Sequence, residues 1–454
     1  MSHGARCLIL PRWCVALACG SALAIAGCTF VPRGTSALRR EAVRAGRPFA
    51  KPPRERHLPA LSAVPTPQEL VHRALLDSPE VEAAYWQWRA AIEAVPQRGT
   101  ELTVPALGTS VGLKNGAASS GNTMLQLANM SSAPIEWPGK PLAEARAALQ
   151  RAYAAGWNFR RAQFAVRRQT LEAWYKLVAD SAMLSLLRRD AALLRELDAF
   201  ARARIESGKA SPTAALTIED ELTRVRARLA AVSAQLPADR AAVDRLIGRP
   251  VRRPLRVPGK FPSLALPRAD MTRLLSLAVR RNPQLAALRR DIRAGRIDLE
   301  RARMDYIPDF TLSAAGSLDG ITQTLGGAIM FPLARYRAIN AAIRQNRDRL
   351  RERKARLRGR GLGIDARVVA DLVMLDGDAR QIGLYEGTLL PRLGRLGAFA
   401  RTELEQGEAG AEEPVRIERT RVQVEQAVLA LRLDEADRLT GMETLIAVRL
   451  RKGG

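Results

Sequence analysis

The sequence predicts a mainly α-helical protein with a small β part, built as two tandem structural repeats with long antiparallel coiled-coil helices. Three observations carry this expectation. Ala, Leu and Arg dominate the chain and aromatic residues make up only 5%, a balance that favours long helices over a β-sandwich. Residues 141–211 hold one Pro, at the first position, where a helix tolerates it. A helix over 141–207 would therefore be ~100 Å long at 1.5 Å per residue. Finally, a series of landmarks occurs twice in one order. Leu70 to Glu80 aligns without gaps with Leu274 to Gln284, including Ser78-Pro79 against Asn282-Pro283. Val104-Pro105 matches Ile307-Pro308, Trp137-Pro138 matches Phe331-Pro332, Arg202 to Gly208 matches Arg401 to Gly407, and Leu246 to Gly248 matches Leu439 to Gly441.

The first repeat is read as residues 67–248. It comprises a helix, strands over 106–116 and 122–137, the long helix 141–207, a tip at 208–212 and a helix over 213–247. Leu107, Thr109, Val111 and Leu113 alternate with small residues, and Lys114 to Gly116 supplies a turn, the pattern of a hairpin. Gly208 stops the long helix and Pro212 restarts the chain. Ile218, Leu222, Val225, Leu229, Val232 and Leu236 then recur at spacings of four and three, which is a heptad seam. Pro237 is expected to kink or end that helix.

The second repeat, 269–443, follows the same plan. Its strands are expected over 309–318 and 321–331, its long helix over 333–406, its tip at 407–413 and its last helix over 414–440. Phe310, Leu312 and Ala314 alternate, and Asp319-Gly320 marks the turn. Gly359, Gly361 and Gly363 in the long helix each cost ~1 kcal/mol relative to Ala, so this helix is expected to be bent or looser than its counterpart. The last helix carries two stripes, Val415, Val422, Leu429 and Ala436 against Ile417, Val424 and Leu431. Two residues correspond to ~200° of rotation, so the stripes lie on opposite sides and the helix packs between two neighbours. Strands of about ten residues fit a membrane β-barrel. Two hairpins cannot close one alone, and open edges are forbidden in lipid. Either several chains share a barrel, or the hairpins are soluble.

Formal charge is +26, from 72 Lys and Arg against 46 Asp and Glu, which on its own would point to nucleic acid. The N-terminus argues against that reading. Arg6 and Arg12 precede an apolar run from Trp13 to Ala26 that meets Gly27 and Cys28, the layout of a secretory signal over 1–27. The run resembles a bacterial lipobox, in which Cys28 becomes the lipidated N-terminus, with residues 28–66 as an anchor and extended linker. All four cysteines lie at or before position 28 and all three histidines at or before position 72. A chain processed there has no disulfide, no thiolate metal site and no His cluster or triad. No phosphate-binding loop, dinucleotide fingerprint or zinc-protease motif occurs. No enzyme, cofactor or metal is expected, and no nucleic acid partner.

The ordered landmarks resemble the outer membrane efflux protein family, the TolC-like outer membrane factors, over about residues 67–443. The paired Ser78-Pro79 and Asn282-Pro283 motifs carry the resemblance, with the elements Trp137-Pro138 and Phe331-Pro332 and the spacing Pro391, Arg401, Gly407. The resemblance implies a homotrimer with a shared 12-stranded barrel in the outer membrane and a trimeric α-barrel continuing through the periplasm. It also implies a periplasmic adaptor and an inner-membrane pump of the RND type as partners. Residues 249–268, with five prolines from Pro250 to Pro267, read equally as a belt around the tunnel or as an inter-repeat connection; 444–454 is a tail. Pro134 to Lys140 resembles an element of heavy-metal efflux factors, which places metal cations narrowly ahead of drugs as cargo. A type I protein secretion tunnel and a non-conducting structural lipoprotein are the alternatives.

For a conduit, function resides in tips and mouths. Tip one offers Arg202, Arg204, Gly208, Lys209 and Ser211, and tip two Arg401, Gly407 and Gly410, as turn residues or as adaptor contacts. Glu403, Glu405, Glu408, Glu412 and Glu413 form an acidic cluster with no Lys or Arg among them. It is either a solvated helix end or a cation-favouring ring, with Arg416, Arg419 and Arg421 as potential partners.

Overall fold

The computed structural model describes residues 31–99, 108–114, 124–209, 211–249, 255–264, 270–316, 323–330, 335–406 and 410–448. They fall into two compact units. The first takes its described residues from Met1–Arg44, Gln87–Ala155 and Leu288–Arg356, the second from Ala45–Trp86, Gly156–Ala287 and Leu357–Gly454. The expected signal, Cys28 and most of the tail lie outside the described residues.

The linker expected to be extended over 28–66 holds a helix in its described first part, while residues 56–66 carry no helix. Leu38 and Ala42, four residues apart, bury one face of α1 (Thr35–Ala45), as a short amphipathic helix requires. In the first unit Arg39 pairs with Glu93 at 2.6 Å. In the second, two single turns at Arg47–Phe49 and Pro53–Glu55 follow. Phe49 packs on Tyr85, ring centroids 5.5 Å apart, and Arg56 sits over Phe49 and 2.8 Å from Glu82.

Helix α2 (Pro67–Asp77) and helix α3 (Pro79–Gly99) are separated by Ser78 alone. The Pro after Ser78 bars that residue from α geometry, and Ser78 is extended at ψ 122°. Its hydroxyl accepts from the Val81 amide at 3.4 Å, so one buried residue ends one helix and caps the next. Asn282 does the same between α6 (Met271–Arg281) and α7 (Pro283–Met304), with the Leu285 amide 3.1 Å from Oδ1. Its side-chain amide also donates to the Leu445 carbonyl at 2.8 Å, tying α6 to the end of the chain's last helix.

The first unit holds the sheet. Strands β1 (Gly108–Lys114), β2 (Met124–Ile135), β3 (Asp309–Gly316) and β4 (Gln323–Met330) lie in the order β1-β2-β3-β4. Every neighbouring pair is antiparallel, with Val111 opposite Leu127, Ala133 opposite Leu312 and Leu312 opposite Gly327. The strands fall inside the four expected ranges. The Lys114–Gly116 turn lies partly, and the Asp319-Gly320 turn wholly, outside the described residues.

Long helices follow each hairpin. Helix α4 runs over Gly139–Glu206 and α5 over Pro212–Leu246. In the second unit Leu187, Ala191 and Leu194 of α4 pack against Leu222 and Val225 of α5, with Ile218, Leu229 and Val232 alongside. The heptad seam is therefore the α4–α5 contact. The helix does not end at Pro237: α5 continues to Leu246 with the Pro inside it. Leu236 and Asp239 are buried on either side of it, and this packing offsets the ~3 kcal/mol a mid-helix Pro costs.

The second long helix runs unbroken through Gly359, Gly361 and Gly363 and is split further on. Helix α8 (Tyr336–Leu384) passes through one π turn, Tyr385–Leu389, into α9 (Leu390–Glu405). Pro391 lacks an N–H and crowds the carbonyl four residues back, which is that of Gly387 inside the π turn. Helix α10 (Glu412–Ile446) is longer than expected. Gly248 has φ +62° and stops α5, but Gly441 sits within α10, so the last landmark pair does not share a conformation. Of the two α10 stripes, Val415, Val422, Leu429 and Ala436 are buried, while Ile417, Val424 and Leu431 are half-buried. The described part of 249–268 packs Phe261 on Tyr175 of α4, centroids 5.7 Å apart.

Candidate functional site at the helical tips

Tip one is a Schellman turn. Gly208 has φ +71°, a conformation that disfavours any side chain. The Lys209 amide bonds to the Arg204 carbonyl at 2.8 Å and the Gly208 amide to that of Ile205 at 2.9 Å, the two bonds of that motif. A Cβ on Gly208 would meet nothing within 4 Å, so the glycine is there for its backbone. Ser211 caps α5 by accepting from the Thr213 amide at 3.4 Å, and Pro212 takes the first helical position.

The arginines of tip one are engaged inside the chain. Arg202 donates to Asp198 at 2.9 Å and also pairs with Glu219. Arg204 pairs with Glu412 of tip two. Lys209 is exposed. Leu197, Phe200, Ala201, Ile218, Arg204 and Lys209 help line a groove of about 550 Å³, which Arg416 and Arg419 border from α10.

At tip two, Arg401, Glu403, Glu405, Gly410 and Glu413 are exposed, and Gly407 and Glu408 lie outside the described residues. The Glu413 amide donates to the Gly410 carbonyl at 3.2 Å. Two of the potential arginine partners of the acidic cluster are committed elsewhere. Arg419 binds Asp190 at 3.0 Å and pairs with Glu221. Arg421 lies 3.8 Å from Glu418 and 3.4 Å from Glu425. Glu412 takes Arg204 instead. Asp190 and Glu221 were missed in the sequence because their partner stands on another helix. Their one signal is that they sit at the edge of an apolar seam.

Comparison with known proteins places this geometry. The family model for outer membrane efflux proteins matches residues 70–249. Residues 70–249 form an outer membrane efflux protein domain. Sequence comparison with curated proteins gives no match. Among solved structures, the outer membrane channel OprN aligns at 14% identity over 88% of this chain and 95% of its own, with a TM-score of 0.69. The outer membrane protein VceC from Vibrio cholerae aligns at 16% identity over 85% and 97%, TM-score 0.68. The open-state outer membrane channel MtrE of Neisseria gonorrhoeae aligns at 16% identity over 87% and 94%, TM-score 0.69. This chain shares their fold.

Tip one, the Ser78 cap and the Gly248 stop all lie within the efflux protein domain. So does Lys140, whose setting was not foreseen. Its side chain is 4% exposed, and its ammonium lies 2.6 Å from Asp309 and 3.3 Å from the Ile307 carbonyl. Asp309 also accepts from the Trp137 amide at 3.4 Å. The Pro134–Lys140 element thus clamps the junction where β2 passes into α4 against the start of β3.

One titratable group stands apart. Burial pushes the Asp437 carboxyl up to about 6, Glu172 and Asp434 add to this, and Arg168 and Arg438 oppose it. Its Oδ1 is buried with no hydrogen-bond partner. A carboxyl raised in the folded state favours folding when protonated, so that contribution is lost as pH rises through about 6. Asp437→Asn is expected to raise thermal stability at pH 7.5, and the gain should shrink towards pH 4. A gain that grows on acidification would contradict this. Among the described residues no group of three or more metal-ligating side chains occurs, and no helix is long and apolar enough to cross a membrane.

Proposed function

We propose that this chain is the outer membrane channel of a tripartite efflux system, acting as a passive conduit. It works as a homotrimer lipidated at Cys28, with a shared 12-stranded barrel and a trimeric α-barrel. A periplasmic adaptor and an inner-membrane pump of the RND type complete the system. On this reading the two helix–hairpin–helix series are tandem repeats. The observation that carries it is the sheet: in the order β1-β2-β3-β4, the outer strands are each paired on one side only. In lipid an unpaired edge is untenable, so neighbouring copies must complete it.

The helices support the same assembly. On α5, Thr223, Ala227, Ala230 and Ala234 are exposed, each two residues before a seam residue and hence on the opposite face, beyond Leu216 and the charged Asp220 that begin the series. On α8, Gly359, Gly363, Ala366, Ala370 and Val373 are exposed, two residues beyond a seam containing buried Ile364, Val368, Asp371 and Leu375. A free edge helix would carry charge there. Small side chains let two backbones approach closely, which suits a second copy.

Purified full-length protein in planar bilayers is expected to give stepwise conductance, with a trimer mass in detergent. Insertion without conductance would favour the structural lipoprotein. The cargo is read from a deletion strain grown on metal salts, dyes and detergents. Metal sensitivity supports cation export. Normal resistance with a missing secreted protein supports type I secretion. The Pro134–Lys140 likeness places metal cations narrowly ahead of drugs, although Lys140 also has a structural partner in Asp309.

The tips are the proposed adaptor contacts. With Arg202 and Arg204 engaged within the chain, Lys209, Ser211, Arg401 and Gly410 are the groups left to present. Replacing both Gly208 and Gly407 with Leu should weaken adaptor docking at least about tenfold; normal docking would remove the tips from the interface. The acidic residues Glu403, Glu405, Glu408, Glu412 and Glu413 are proposed to favour cations at the mouth. Changing all five to Gln should lower cation selectivity in single-channel recordings, and an unchanged reversal potential would remove that role.

A further inference from the structure

A groove of about 530 Å³ lies in the first unit. Arg98 of α3, Arg151 of α4, Arg301 of α7, and Arg349 and Arg353 of α8 line it, against three carboxylates. Pairing accounts for the carboxylates. Arg151 places one terminal nitrogen 2.6 and 2.7 Å from the two oxygens of Asp298, which Arg353 approaches at 3.5 Å. Arg301 binds Glu144 at 2.7 Å and pairs with Asp305. The lining thus holds five arginines against three acids; Arg98 is itself engaged, and Arg349 is exposed.

The place of this groove matters as much as its charge. Asp305 directly follows the last residue of α7, and β3 begins at Asp309. Glu144 belongs to the first turns of α4, which follows β2. One end of the groove therefore lies where strands hand over to helices, and the groove continues along α4 and α8 to Arg151 and Arg353. At the same junctions Trp137, Tyr306 and Tyr336 are 41%, 39% and 59% exposed, and the two tyrosine rings are 5.7 Å apart. Exposed Trp and Tyr at strand ends sit at headgroup level in a membrane barrel. A basic groove beside them meets phosphate, which guanidinium groups bind through paired charge-assisted hydrogen bonds. A cation is disfavoured by the excess positive charge.

We propose that this groove binds the phosphodiester of an anionic phospholipid in the periplasmic leaflet, an inference that rests on the strands being in the membrane. Native mass spectrometry of the full-length protein tests it, with phosphatidylglycerol, phosphatidylcholine and inorganic phosphate as probes. Phosphatidylglycerol should be retained at least about tenfold better than phosphatidylcholine. Arg98→Ala with Arg349→Ala should erase that preference while leaving the oligomer mass unchanged. Equal retention of the two lipids, or an unchanged preference in the double variant, would overturn the proposal. Displacement by inorganic phosphate at lipid concentrations would overturn the lipid assignment in favour of a free anion. Conductance is recorded on the same samples. Selective retention without conductance supports the groove and counts against the channel alone.

Discussion

Glutamate at both Ala230 and Ala234 is expected to abolish trimer formation while the protomer stays folded. Both positions are exposed in the single chain, on the α5 face opposite the seam that packs on α4. Helix propensity changes little, since Glu stands close to Ala in rank. In a closed ring the same face is covered, and an unpaired carboxylate there costs about 3–5 kcal/mol at each interface. Light scattering should give a monomer mass with an unchanged far-UV spectrum. The reciprocal pair, Ala366→Glu with Ala370→Glu on α8, should behave alike. A trimer of ordinary stability from either variant would show that these faces look onto water instead.

The second expectation concerns the clamp between Lys140 and Asp309, and it is asymmetric. Lys140 is 4% exposed and Asp309 39% exposed at the side chain. Asp309→Ala leaves a buried ammonium without its counter-charge, a loss of about 3–5 kcal/mol. Lys140→Met removes the buried charge itself and leaves a carboxylate that water can reach, so it should cost under about 1.5 kcal/mol. The double variant should recover most of the loss. Thermal unfolding in detergent measures all three. Equal damage from the two single changes would mean that the pair is not the source of the effect.

Much of this architecture could be read from residue spacing. The 141–207 helix, the tip at Gly208 and the seam from Ile218 to Leu236 each depend on local rules that no distant contact overrides. The Ser78 and Asn282 breaks were visible as matched dipeptides, and the structure supplies the reason, a cap and a Pro in consecutive places. What escaped was long-range. Nothing local to Asp309 or Asp190 announces a partner on another helix. Arg419 and Arg421 were offered to the acidic tip because they are near in sequence, whereas their carboxylates lie elsewhere. Pro237 misled as a stop because propensity was weighed without the buried Leu236 and Asp239 around it. The first part of the linker at 31–66 misled for a similar reason: its Pro and Arg content hid the one-turn spacing of Leu38 and Ala42.

The π turn at Tyr385–Leu389 has a consequence for how the chain can vary. Upstream, buried Leu375 and Asp378, followed by half-buried Ile382 and Tyr385, keep a seven-residue beat that would next fall on Arg392 and Phe399. The buried residues are instead Leu393 and Ala400, while Phe399 is 65% exposed. The turn absorbs one surplus residue, and the beat resumes a single position late. An insertion or deletion of one residue is therefore a local edit at this joint, whereas elsewhere along α8 it would rotate everything beyond it by about 100°. Length polymorphism among descendants of this gene should accordingly collect between Gly383 and Pro391, a hidden gap that leaves the distal end facing the same neighbour.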